Sequence, residues 1–265
     1  MSTVRYHLEP DGVLTLTLNR PEVHNAFNAE LICCLADTLS EVAANPEVRV
    51  VVITGAGESF SAGADLNWMR GMSNASEADN EHDALLLARL LRLLNFLPKP
   101  TIARVNGSAF GGGLGLIACC DIAVAADHAR FALTECRLGL APAVISPYLY
   151  RRIGEVHCRR YFLTGERFDA DHARHIGLVH EQVPASELED TVTRLCTALL
   201  KGGPAAAEQC KKLVFHAAGQ AADRQLELDQ YTARLIARLR VSGEGQEGMS
   251  AFLQKRPPSW RDENS

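Results

Sequence analysis

The stretch KPTIARVNGSAFGGGLGL, residues 99–116, sets a strand, a turn and a helix in direct succession. Thr101–Val105 is a short, mostly apolar run, which is typical of a strand buried on both faces. The chain then turns at Gly107 and reaches a run of glycines, and a short apolar helix is predicted from near Gly112. Because glycines carry no side chain, this stretch predicts backbone N–H groups at a helix N-terminus that a ligand could approach closely.

Other strands of the same kind surround this stretch and define the fold class. Val48–Thr54 and Ile122–Ala125 are further apolar, β-branched runs, with helical patterns between them. Val4–Leu8 and Val13–Leu18 alternate in polarity around a turn and predict a hairpin, and Asn28 is placed to cap the helix that follows. Strands that alternate with helices predict an α/β fold with parallel strand pairing.

The C-terminal third has a different, helical character. Ser186–Glu189 has the pattern of a capping box that opens a helix. A last amphipathic piece is predicted at Glu247–Lys255. We therefore expect an α/β catalytic domain over residues 1–185 and a helical region over residues 186–265.

Composition limits the class of protein. The chain has 265 residues, is 47% hydrophobic and 22% charged, and has a net charge of −5 with a pI near 6.0. An acidic balance argues against a nucleic-acid surface. The eight cysteines include no C-x-x-C spacing, and the N-terminus enters a strand pattern directly, so we expect a reduced, cytoplasmic protein. The apolar run Leu85–Leu97 is too short to span a bilayer and predicts a half-buried helix.

A second stretch could supply another backbone donor. In SFSAGADLNWM, residues 59–69, small residues follow a buried strand and Asp65 opens a helical pattern. Two N–H groups that converge from different loops would form an oxyanion hole. The alternative is that the glycines only allow tight packing between helix and strand.

A third stretch, RFALTECRLGLAPAVISPYL at residues 130–149, carries one acid in an apolar setting. A carboxyl group among apolar side chains has a raised pKa, so Glu135 could act as a general acid or base near neutral pH. The alternative is a solvated glutamate in the first turn of a helix.

Three weaker patterns point to other chemistry. Gly113–Ala118 fits G-x-G-x-x-A, but the segment before Asp121 is too short for a dinucleotide-binding crossover, and Asp121 is expected to cap or pin the short helix. His172 and His175 are spaced for a metal on one helix face, without an evident third ligand. Cys119 or Cys136 as a nucleophile lacks an evident histidine partner.

Taken together, the motifs resemble the crotonase (enoyl-CoA hydratase/isomerase) family. The matching segments follow family order and span nearly the whole chain: LTLNRPEVHNAF (14–27), SFSAGADL (59–66), KPTIARVNGSAFGGGLGL (99–116), CDIAVAADHARFALTE (120–135), LTGERFDADHARHIGLV (163–179) and EGQEGMSAFLQKRPP (244–258). The resemblance implies a spiral of ββα units with a helical C-terminal trimerisation region. It also implies a homotrimer or a dimer of trimers, an acyl-CoA substrate, and no metal or redox cofactor, since CoA is part of the substrate.

The resemblance also implies roles for particular residues. The N–H groups of Ala64 and Gly112 would form the oxyanion hole for the thioester oxygen. The acyl-CoA path would be lined by Ala62, Asp65, Leu66 and Asn67, with Lys255 contacting CoA across the trimer. Glu135 matches the second of two catalytic glutamates in many hydratases of the family. The first glutamate is replaced by Gly115, so one acid is missing.

Within the family, the fuller motifs FSAGADLNWMRGM and FGGGLGLIACCDIAVA are most similar to methylglutaconyl-CoA and isohexenylglutaconyl-CoA hydratases. Such substrates carry a carboxylate distal to the thioester, and Arg70 is a candidate partner for it. The expected function is therefore hydration of a branched glutaconyl-type enoyl-CoA, with Glu135 as general acid and base. The alternatives are a Δ3,Δ2-enoyl-CoA isomerase, another acyl-CoA enzyme of the family, or a non-catalytic protein that binds acyl-CoA or RNA.

Overall fold

Two sheets form the first two thirds of the molecule. The computed structural model of the chain describes residues 2–220 and 222–261. The larger sheet has six strands in the spatial order β1 (Val4–Leu8), β2 (Val13–Leu18), β3 (Val50–Gly55), β5 (Thr101–Val105), β7 (Ile122–Ala126) and β10 (Glu181–Val183). The smaller sheet has the order β4 (Ser59–Ser61), β6 (Ser108–Phe110), β8 (Arg130–Ala132) and β9 (Phe168–Asp169).

Helices connect and cover the sheets. They are α1 (Ala29–Ala44), α2 (Leu66–Asn74), α3 (Glu77–Asn95), α4 (Gly112–Cys119), α5 (Ser146–Thr164, kinked at Gly154), α6 (Ala170–His175), α7 (Leu188–Leu200), α8 (Pro204–Ala217), α9 (Ala222–Val241) and α10 (Gly243–Leu253). Short 3₁₀ turns lie at Pro21–Val23, Glu135–Leu138 and Ala185–Glu187.

The predicted strands are confirmed, and their ends lie within two residues of the predicted ones. β1 and β2 form the predicted antiparallel hairpin, and β2, β3, β5, β7 and β10 pair in parallel. The side chain of Asn28 caps α1 by accepting a hydrogen bond of 2.9 Å from the N–H of Leu31. The α/β fold class that the sequence predicts is therefore the observed one.

The larger sheet is covered on both faces, which explains its continuous apolar strands. One face contributes to the main core together with α1 and α3. On the other face, a second cluster contains Val50, Val52, Ile102 and Val124 from the sheet and Leu188, Val192 and Cys196 from α7. Burying such side chains stabilises the fold by about 1.5–3 kcal/mol each. The helical C-terminal third is thus part of what covers the sheet.

A repeating unit of two strands and a helix links the sheets. A long strand of the larger sheet is followed by a short strand of the smaller sheet and then by a helix or turn, as in β3–β4–α2 and β5–β6–α4. The third repeat, β7–β8, ends in the 3₁₀ turn at Glu135–Leu138. Because β4, β6 and β8 pair side by side in parallel, the three segments that follow them lie next to one another.

Two expectations about capping need correction. Ser186 forms no capping box, because residues Ala185–Glu187 are a 3₁₀ turn that runs into α7 and no side chain caps that helix. Asp121 does not cap α4, whose C-cap residue is Cys120. Its carboxylate instead accepts hydrogen bonds from the N–H and hydroxyl of Thr101 and from Lys211, and so ties β5 to α8.

The last helix begins earlier than predicted and approaches the 3₁₀ turn very closely. α10 starts at Gly243, with Ser242 as its N-cap, because the glycines of its first turns hid the helical pattern. A Cβ atom on Gly248 would lie 2.3 Å from the backbone of Leu138. Glycine is therefore required where α10 packs against the turn that carries Glu135.

No helix among residues 2–220 and 222–261 has the length and apolar content needed to cross a membrane. The apolar run Leu85–Leu97 falls mostly within α3, where Arg89 and Arg92 form ion pairs with Asp37 and Asp229.

We expect Gly248→Ala to lower the free energy of unfolding by about 1–3 kcal/mol, because its methyl group would displace α10 from Leu138. Gly243→Ala is the matched control on the same helix, since no atom lies within 4 Å of its Cβ position. Chemical unfolding of both variants measures the difference. Equal stabilities would contradict the close-packing role of Gly248.

Candidate active site

The first backbone donor of the site is held by a short bridge between two loops. The N–H of Phe27 donates to the carbonyl of Gly63 at 2.6 Å, and the N–H of Asp65 donates to the carbonyl of Phe27 at 2.9 Å. Ala64 lies between Gly63 and Asp65, the two residues that bond to Phe27. In a parallel bridge of this kind the N–H of the middle residue points away from the opposite strand. The N–H of Ala64 is thus free of that bridge, and it meets no acceptor within the described part of the chain. Ala64 is exposed and lines a cavity.

The second donor comes from the glycine run. Gly111 has a φ of 48°, which favours glycine, and its N–H donates to the carbonyl of Ala132 at 3.1 Å. α4 begins at the next residue, so the N–H of Gly112 belongs to the first helical turn and has no partner within the helix. A Cβ atom at Gly112 would lie 2.7 Å from the ring of Phe27, so only glycine fits there. Gly112 lines the same cavity as Ala64.

The carboxyl group of Glu135 lies in this cavity beside the glycine run. Its Oε1 would be 3.1 Å from a Cβ atom at Gly111. Its Oε2 is buried and has no hydrogen-bond partner among residues 2–220 and 222–261. Burial raises the pKa of Glu135 to about 7. The alternative of a solvated glutamate is wrong, and the carboxyl group can exchange a proton near neutral pH.

Apolar side chains fill the space beside Gly115, the position where the resemblance implies that a first glutamate has been replaced. A Cβ atom at Gly115 would lie 2.5 Å from Cγ2 of Ile145 and 3.4 Å from Cδ2 of Leu91. Of the described residues that line the cavity, Glu135 alone carries a carboxylate. The site therefore has one acid, and the space beside it has been closed rather than left for a helper group.

The cavity itself is small and mainly apolar, with a volume of about 140 Å³. Its larger apolar wall residues are Phe27, Trp68, Leu87, Phe110, Leu138, Leu140, Val144, Ile145 and Ile236. One cation, Arg240 of α9, also lines it. An apolar cavity of about 150 Å³ that was engineered in another protein binds benzene. The cavity beside Glu135 therefore suits a group of roughly six carbon atoms.

The structure brings together some of the predicted site residues and leaves others outside. Ala62, Ala64, Gly112 and Glu135 line the cavity. Leu66 and Asn67 are exposed and are not among its wall residues, and Lys255 is exposed just beyond the end of α10. Their contacts with an acyl-CoA stay predictions.

The side chain of Asp65 has a structural task. Its Oδ1 caps α2 by accepting from the N–H groups of Asn67 and Trp68, and its Oδ2 accepts from Arg20 at 2.8 Å. Burial acts to raise the pKa of Asp65, but these hydrogen bonds outweigh it and leave the pKa lowered. The carboxylate holds the loop that presents Ala64.

Arg70 does not reach the cavity. Its guanidinium donates to the side chain of Asn67 at 3.1 Å, and it lines a separate surface depression with Gln246. Arg240 and Ile145 do reach the cavity and were missed, because each lies in an ordinary helical or apolar pattern far along the chain from the glycine run.

The weaker sequence patterns form no second site. His172 contacts the hydroxyl of Tyr161, and no group of three or more potential metal ligands occurs in residues 2–220 and 222–261. Burial raises the pKa of both Cys119 and Cys136, which keeps them as thiols rather than thiolate nucleophiles. α4 has eight residues, too few for a dinucleotide-binding crossover helix.

Comparison with known proteins identifies the family. Residues 9–263 match the family model described as enoyl-CoA hydratase/isomerase. The chain belongs to this family. Two similar curated proteins are 2,3-dehydroadipyl-CoA hydratase of Escherichia coli, 36% identical over 94% of this chain and 95% of that protein, and 1,2-epoxyphenylacetyl-CoA isomerase of E. coli, 35% identical over 98% of both.

A solved structure agrees with the fold. The putative enoyl-CoA hydratase/isomerase (crotonase) of Legionella pneumophila has 43% identity, a TM-score of 0.80, and coverage of 98% of this chain and all of that one. The expected crotonase fold, with parallel sheets and several C-terminal helices, is confirmed. So is the expectation of an enzyme of the enoyl-CoA hydratase type that acts on an acyl-CoA.

We expect Glu135→Gln to lower kcat/KM by about 10²- to 10⁴-fold, because the amide cannot accept and return a proton. The wild-type rate should fall as pH drops below about 7, where the carboxyl group becomes protonated and ceases to be a base. Steady-state kinetics from pH 5.5 to 9 measure both effects.

Thermal melting provides the control. The pKa of Glu135 is raised on folding, so its ionisation reduces stability as pH rises through about 7. Glu135→Gln should therefore melt no lower than the wild type at pH 8. A variant that stays active, or that loses activity only because it unfolds, would contradict the catalytic role.

Proposed function

We propose that the enzyme adds water across the 2,3 double bond of a branched glutaconyl-type enoyl-CoA, of which 3-methylglutaconyl-CoA is the model substrate. The observation that carries this proposal is the single carboxyl group of Glu135, with a pKa of about 7, in one cavity with two open backbone donors.

The two donors suit the charge that develops in this reaction. Attack of water at C3 moves the π electrons of the double bond toward the thioester, which becomes an enolate. The N–H groups of Ala64 and Gly112 would hold that oxygen, and each donor of this kind is worth about 10²- to 10³-fold in rate. Both N–H groups are fixed by the fold before the substrate arrives, so little reorganisation is needed.

Glu135 would carry the proton. As a carboxylate it takes a proton from water while the oxygen–C3 bond forms. As a carboxylic acid it then gives a proton to C2, the thioester carbonyl is restored, and the carboxylate is regenerated. The step adds one water and needs no metal or redox cofactor. A pKa near the operating pH lets one group serve in both directions.

The size of the cavity supports a short, branched acyl group. A volume of about 140 Å³ suits the methylglutaconyl group better than the much longer isohexenylglutaconyl group. The E. coli relative, by its name a hydratase of 2,3-dehydroadipyl-CoA, also acts on an acyl group with a second carboxyl.

A Δ3,Δ2-enoyl-CoA isomerase is the second candidate, and Gly115 favours it. One carboxyl group that removes a proton at one carbon and returns it at another is sufficient for moving a double bond. The similar E. coli protein named as an isomerase shows that the family includes isomerisation of another substrate.

We also propose a homotrimer or a dimer of trimers, with Lys255 contacting the CoA of a neighbouring subunit, and a cytoplasmic location. Large apolar side chains are exposed on three helices, which supports self-association. They are Val156 and Leu163 of α5, Leu213 and Val214 of α8, and Tyr231 of α9.

We expect purified protein to convert 3-methylglutaconyl-CoA into a product heavier by one water, as measured by mass spectrometry. A linear 3-enoyl-CoA, offered separately, tests the alternative through the position of its double bond. If the mass of 3-methylglutaconyl-CoA stays unchanged while the double bond of the linear 3-enoyl-CoA moves, the enzyme is an isomerase and the hydratase proposal is refuted.

A further inference from the structure

Arg240 is the one cation in the described wall of the acyl cavity, and its side chain is only 14% exposed. It extends from α9 and lies beside Trp68, which lines the same cavity. A guanidinium in a largely apolar cavity is unfavourable unless its charge and its N–H donors are matched. The partners that it has in the protein therefore decide what else it can bind.

The protein matches only part of this group. Nη1 donates to Oδ1 of Asn80 at 3.3 Å and forms an ion pair with Asp83, whose Oδ2 lies 3.6 Å away, so the charge is paired while most of the N–H donors are not. Within residues 2–220 and 222–261, the hydrogen bond to Asn80 is the one that this side chain makes, and Nε and Nη2 meet no acceptor. An arginine has five N–H donors, so the described residues leave most of them without a protein acceptor.

The guanidinium lies against an aromatic ring and pairs with a carboxylate that this ring also contacts. Its Cζ lies 5.7 Å from the centre of the Trp68 ring. Nε1 of Trp68 donates to Oδ1 of Asp83 at 3.2 Å, so the ring and the carboxylate hold each other in place. Gln246 of α10 donates to the backbone carbonyl of Arg240 at 2.7 Å, which holds the backbone from which this side chain extends. A planar fork held in this way suits a carboxylate, which it can bind with two parallel hydrogen bonds.

We propose that Arg240 binds the distal carboxylate of the acyl group and so makes the enzyme selective for dicarboxylic acyl-CoA substrates. This inference rests on the glutaconyl-type substrate proposed above. The thioester oxygen would lie at Ala64 and Gly112 and the distal carboxylate at Arg240, so the two ends of a short acyl group would be held in one cavity. Arg240 takes the role that was predicted for Arg70.

Binding of non-reacting substrate analogues tests the proposal without depending on catalysis. 3-Methylglutaryl-CoA and isovaleryl-CoA share the same branched carbon chain and differ in the distal carboxylate. Isothermal titration calorimetry should show that the wild type binds the first about 10- to 100-fold more tightly, which is the range for hydrogen bonds to a charged group. Equal affinities in the wild type would overturn the proposal.

The variants separate recognition from structure. Arg240→Met combined with Asp83→Asn removes the cation without leaving a lone buried carboxylate, and it should abolish the preference while retaining isovaleryl-CoA affinity within about threefold. Arg240→Lys should keep part of the preference, and Arg70→Met, outside the cavity, should keep all of it. A double variant that loses affinity for both analogues alike, or that retains the preference, would overturn the proposal.

The outcome also separates this inference from the proposed reaction. A wild type that prefers 3-methylglutaryl-CoA through Arg240 but adds no water to 3-methylglutaconyl-CoA would support the recognition role and refute the hydratase. A wild type that hydrates 3-methylglutaconyl-CoA with a preference that Arg240 does not affect would refute the recognition role alone.

Discussion

Parallel pairing of three short strands is the interaction on which the site depends. β4, β6 and β8 contribute only three residues each, yet their pairing sets three loops side by side. Ala64 follows the first strand, Gly112 the second and Glu135 the third. Each short strand follows a longer strand of the larger sheet, and the core between that sheet and its helices holds the longer strands in place. The core therefore fixes the positions of the backbone atoms in these three loops.

Close packing of backbones then sets the chemistry. Glycine at positions 112 and 248 lets the ring of Phe27 and the backbone of Leu138 approach where any side chain would collide. The first contact shapes the loop that carries Gly112, and the second presses α10 against the turn that carries Glu135. Burial among apolar side chains desolvates the carboxyl group of Glu135 and raises its pKa to about 7. The same close packing that stabilises this part of the fold therefore also sets the pKa of Glu135.

The sequence predicted the features that depend on local pattern. Buried strands, the Asn28 cap and the helix that starts at Gly112 depend on neighbours in the chain, and they lie where their patterns place them. The short strands of the smaller sheet escaped prediction, because three residues are too few to show a period. Arg240 was not predicted, because a helical pattern does not tell which residue will face a cavity formed mostly by distant segments of the chain. For Asp65 the motif identified the right loop but did not show what the side chain does. Its carboxylate accepts hydrogen bonds from Arg20 and from the first N–H groups of α2.

The closed space at Gly115 has a stereochemical consequence. Ile145 and Leu91 occupy that side, and among the described residues that line the cavity no acid other than Glu135 could supply a proton. In the proposed hydration, a planar double bond lying against Glu135 would receive both the hydroxyl and the hydrogen from the side that faces this residue. The two new bonds would then form on the same face of the substrate, and the handedness of the product would follow from the position of a single carboxyl group.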